Sequence, residues 1–177
     1  MAEIWRVYLP ALHDDVALRA YIVTMFENGY DFISPLIIGR NPSLSVRIYS
    51  FRRLGVWRVP LVLTPWMLSN LFIPDENPDL ALPDHPADEQ YALLGPLIQF
   101  IVLGTQHKAH LQYDSKLGHY LLQPLVLGME HYADAQSVLT AWKKTMRQST
   151  QRQSSRLGRN KGVVSRREFF TRLGTIF

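Results

Sequence analysis

Apolar positions along this chain keep two different rhythms. From Asp14 or Asp15 to about Asn28, Val16, Leu18, Ala20, Ile22, Val23 and Phe26 recur mostly at helical spacing, with acidic groups at the start that complement the helix dipole and Gly29 as a C-terminal cap. Tyr30 to Arg40 is apolar and irregular, with room for a short extra strand. At Asn41-Pro42 a turn signal precedes period-two alternation, and Leu44, Val46 and Ile48 share one face of a strand over about Ser45 to Arg53. A second strand over about Val56 to Leu63 pairs with it through a turn at Leu54-Gly55. Pro60 predicts that this second strand is an edge strand or carries a bulge. Then Thr64 reads as an N-cap and Pro65 as the first turn of a short helix that crowds Trp66, Met67, Leu68, Leu71 and Phe72 together.

From Asp75 to Glu89 the rhythm stops. Prolines at 74, 78, 83 and 86, together with Asp75, Glu76, Asp79, Asp84, Asp88 and Glu89, predict a solvated loop. Strands follow over about Leu97 to Gly104, Ala109 to Tyr113 and Tyr120 to Val126, with polar turns at Gln106-His107-Lys108 and Asp114 to Gly118. A helix over about His131 to Gln148 buries Ala135, Val138, Leu139 and Trp142. This order predicts an α+β domain over residues 1–148, an antiparallel sheet of about five strands with helices packed on it. Residues 149–162 have Leu157 as their single large apolar residue and read as a flexible linker. Residues 163–177 regain Phe169, Phe170, Leu173, Ile176 and Phe177 on one face of a short helix capped by Ser165, which predicts a basic amphipathic tail built to dock.

Charge sharpens this division. Residues 1–142 carry nine Lys and Arg against fourteen Asp and Glu, a net −5, whereas residues 143–177 carry ten against one, a net +9. A basic end on an acidic body suggests a tail that contacts an acidic partner or its own body. The absence of cysteine excludes disulfides, thiolate metal sites and cysteine nucleophiles, and agrees with a cytoplasmic protein. The apolar run Val59 to Pro74 is too short and too interrupted by proline to cross a membrane, which takes roughly 20 continuous apolar residues. The segment Met1 to Pro10 lacks the basic start and apolar length of a signal peptide. His13, His85, His107, His110, His119 and His131 form no metal-ligand pattern, and nucleophile elbows, phosphate loops and dinucleotide fingerprints are missing. We therefore expect no enzyme, no cofactor and no metal.

The succession NPSLSVRIYSF, a glycine turn and VPLVLTPWMLSNLFIP resembles the HybE/HupJ family of [NiFe]-hydrogenase assembly chaperones, whose members carry an Asn-Pro-x-Leu strand followed by Thr-Pro-Trp. The resemblance spans Asn41 to Pro74, continues through Gly118 to Leu125, and returns at Ser165-Arg166-Arg167-Glu168-Phe169-Phe170, similar to the Ser-Arg-Arg-x-Phe-Leu ending of HupJ-type sequences. It departs where Leu-Gly replaces Ser-Pro and where Leu94-Gly95-Pro96 replaces Leu-Pro-x-Gly. The resemblance implies a protein that holds a hydrogenase subunit precursor during cofactor insertion and delays its twin-arginine export. Two partner surfaces are then expected: a groove at Pro65, Trp66, Met67 and Phe72, and the tail at Arg166, Arg167, Phe169 and Phe170. The bland reading makes Trp66 and its neighbours core and the arginines a solvated helix end. Ser-Arg-Arg-x-Phe also looks like a twin-arginine export signal, but it lies at the wrong end of the chain. An alternative role for the tail is nucleic-acid binding through interleaved arginine and phenylalanine.

Overall fold

Tight corners between neighbouring strands set the architecture. The computed structural model describes residues 5–29, 39–83 and 95–157, with the backbone alone over 149–157. Six strands, β1 (Arg47–Leu54), β2 (Trp57–Leu63), β3 (Met67–Pro74), β4 (Leu97–Val102), β5 (Thr105–Asp114) and β6 (Gly118–Leu127), form one antiparallel sheet in the order β1-β2-β3-β6-β5-β4. Helix α1 spans Asp15–Asn28, and α2 spans Ala135–Leu157. The chain divides into two compact units, Met1–Leu139 and Thr140–Phe177. The α+β class is as expected, with one strand more than the sequence pattern indicates.

That extra strand is β3. The stretch expected to be a helix after Thr64 is instead a hairpin corner, with Pro65 and Trp66 between the paired ends of β2 and β3. Thr64 does cap, but it caps a turn: its Oγ1 accepts from the Met67 amide at 3.1 Å, and its own amide donates to the Met67 carbonyl at 2.8 Å. Every residue of β2 and β3 is buried, so both faces lie in the interior and burial shows no period-two alternation. Pro60 is no edge marker, because β2 lies between β1 and β3. Its missing N–H coincides with a break in the β2–β3 ladder between Arg58 and Leu61, and the bulge falls on the neighbouring strand at Tyr49.

A second correction concerns the β4–β5 corner. Val102 pairs with Thr105, so the turn is Leu103-Gly104, and Gln106, His107 and Lys108 lie within β5. Both corner residues have positive φ, +47° at Leu103 and +78° at Gly104, as a type I′ hairpin requires. The Gly55 corner has its positive φ of +61° at the first position only, before Val56.

The aromatic contacts show that the sheet curls. Trp57 on β2 lies four strands from Phe100 on β4, about 19 Å across a flat sheet at 4.8 Å per step. Their ring centroids are nevertheless only 5.6 Å apart, and Phe72 on β3 meets Phe100 at 5.0 Å. Trp5, Trp57, Val59, Phe72, Phe100 and Leu121 fill this inner face. On the other face Leu18, Ile22 and Phe26 of α1 pack against Val62, Leu71 and Leu122. Asp14 caps α1 by accepting from the Ala17 amide at 3.0 Å.

An ion-pair knot joins α1 to the sheet. The Arg58 side chain is 4% exposed; its Nε is 2.6 Å from Asp75 and its Nη1 3.1 Å from Asp15. That same Nη1 donates to the His13 carbonyl at 2.8 Å, and the guanidinium lies over the Tyr8 ring. Burial and the hydrogen bond from Tyr8 to Asp75 push the tyrosine pKa up to about 12. The N-terminal segment is fastened separately, because the His119 amide donates to the Arg6 carbonyl at 2.7 Å. A Cβ on Gly118 would sit 2.1 Å from that carbonyl. In the second unit, α2 continues to Leu157, into the segment expected to be a linker.

Candidate partner surface

The two motifs that carry the family resemblance meet in space. Asn41 is 5% exposed, and its amide donates to the Pro65 carbonyl at 2.7 Å. Its Nδ2 donates to the carbonyls of Tyr132 at 2.6 Å and Met129 at 3.2 Å, while its Oδ1 accepts from the Ser43 amide at 3.0 Å. One residue thus brackets the Asn-Pro turn, the Thr-Pro-Trp corner and the segment after β6, reaching the corner through its backbone amide and the other two through its side chain. The requirement for asparagine is stereochemical, since only a short amide can donate twice to carbonyls and accept from a local amide here.

This arrangement overturns the expected groove. Pro65, Trp66, Met67 and Phe72 are all buried, with Trp66 4%, Met67 5% and Phe72 1% exposed. They do not share a surface either. Trp66 and Met67 belong to the α1-facing core, where the indole lies 6.5 Å from the Phe26 ring, whereas Phe72 belongs to the inner face of the curl. The physical reason is the strand conformation of Met67–Pro74, which sends alternate side chains to opposite faces. A helical turn would have gathered them.

Exposed apolar side chains lie elsewhere. Leu97 and Ile101, 55% and 71% exposed, project from the α1 side of β4 beyond the reach of that helix, and Leu103 at the adjoining corner is 62% exposed. The α1-side neighbours on β5 are polar: Gln106 donates to Gln99 at 3.0 Å, and Lys108 is exposed. The sequence pattern does not single out β4; the exposed Leu97, Gln99, Ile101 alternation stands out only once its edge position is known.

The described histidines do not converge. His107 lies on the inner face against Phe72 and Phe100, where burial and the charge of Arg52 hold its pKa below the ordinary value. His110 faces the opposite side, with Nδ1 2.9 Å from the Gly95 carbonyl. His119 Nδ1 accepts from the Arg6 amide at 2.9 Å, and His131 stands exposed 3.2 Å from Glu130. Among the described residues no three His, Asp or Glu side chains gather as a metal site, and no helix is long and apolar enough to cross a membrane. Asp114 is held as a carboxylate: burial alone would raise its pKa, but the Tyr21 hydroxyl, the Leu117 and Lys116 amides and the Lys116 charge bring it below the usual value.

Arg166, Arg167, Phe169 and Phe170 lie outside the described residues, as does His85. The family model described as [NiFe]-hydrogenase assembly, chaperone, HybE matches residues 36–172, a span that contains Asn41, the Thr64–Met67 corner and all four tail residues. No curated protein and no solved structure gives a significant match.

Proposed function

As this chain belongs to the HybE family of [NiFe]-hydrogenase assembly chaperones, we propose that it binds a hydrogenase subunit precursor during maturation, catalyses no reaction and acts in the cytoplasm. The observation that carries this reading is the extent of the family match, which runs from the Asn41 bracket through Ser165-Arg166-Arg167-Glu168-Phe169-Phe170. Differential affinity is all the mechanism needs: the chaperone covers client surface that mature subunit contacts later bury, and release follows when those contacts win. Pro65, Trp66, Met67 and Phe72 then contribute by holding the sheet in shape, not by touching the client.

For the tail, the reading is mimicry of the client's export signal. Arg166 and Arg167 supply guanidinium forks suited to carboxylates, and the −5 body supplies the carboxylates. Phe169 and Phe170 add the apolar contact. The tail thereby occupies the place that receives a client's twin-arginine segment, and export waits until client or tail is released. Comparing the full chain with a chain ending at Gly162 tests this. The shortened chain should bind a synthetic twin-arginine peptide more tightly, and unchanged or weaker binding would refute the mimicry while leaving client binding to be tested separately. Binding of the tail to RNA with strong salt dependence, and not to the body, would also refute it.

A further inference from the structure

We draw no further inference here: the strongest candidate, the row of exposed apolar side chains at Leu97, Ile101 and Leu103 along β4 and its corner, is an unpartnered face, and nothing in the structure shows what covers it.

Discussion

Replacing Trp66 by alanine separates a structural role from a client-binding one. The indole is 4% exposed, within the core formed by α1 and the outer side of the curled sheet. Truncating a buried aromatic to alanine costs about 3–5 kcal/mol through lost transfer energy and the cavity left behind. A domain of ordinary stability holds only about 5–15 kcal/mol in total, so the variant retains a thin margin. For a chain of this size the melting temperature should fall by about 6–20 °C, taking roughly 2–4 °C per kcal/mol. Urea unfolding followed by circular dichroism should show a lower midpoint with an unchanged slope. At temperatures where the variant is fully folded, it should still retain precursor. A Trp66→Ala chain within about 1 kcal/mol of the native stability that nevertheless fails to retain precursor would refute the reasoning and return the indole to the client surface.

Asn41→Ala removes the donor to Met129 and Tyr132 and the acceptor for Ser43, leaving buried polar groups unmatched, and should cost about 2–4 kcal/mol in urea unfolding. In the ion-pair knot the two partners should differ. Asp75→Asn leaves Arg58 buried with less compensation, at about 3–5 kcal/mol, whereas Arg58→Met should cost less because Asp15 and Asp75 are 41% and 28% exposed and reach water. Asp114 has a folded pKa below its unfolded value of 3.8, so its contribution is complete above that pH and is lost as pH falls through the folded value. Acid unfolding profiles of the native chain and of Asp114→Asn should therefore converge at low pH. Tyr8 gives the mirror case: the unfolded phenol ionises near 10 and the folded one near 12, so stability should fall as pH rises across that interval, and less so in Tyr8→Phe.

Much of the fold is written in local pattern. Asp14 and the apolar spacing to Phe26 specify α1, and the alternation of Val46 and Ile48 before Gly55 specifies the first hairpin. Misreadings arise where local signals serve a distant purpose. Met67–Pro74 has no alternation because the curl buries both its faces, and Pro65 serves a hairpin corner as well as it would a helix start. The polar Gln106-His107-Lys108 imitates a turn because Gln106 and Lys108 face solvent from within β5, while the true corner uses Leu103 at a positive φ that its side chain disfavours. The role of Asn41 depends on carbonyls 88 and 91 residues away, beyond any local reading. For the partner surface, composition marks the Trp66 region as apolar, yet burial alone decides whether apolar means core or contact. Only the edge position of β4 singles out Leu97 and Ile101.

Client binding itself is tested most directly by titrating the full chain, in a calorimeter, with a hydrogenase subunit precursor and with the same subunit after maturation. The account predicts saturable binding of the precursor and affinity for the mature subunit weaker by at least about tenfold, or 1.4 kcal/mol. Equal affinity for the two forms, or no binding of any hydrogenase precursor, would contradict it.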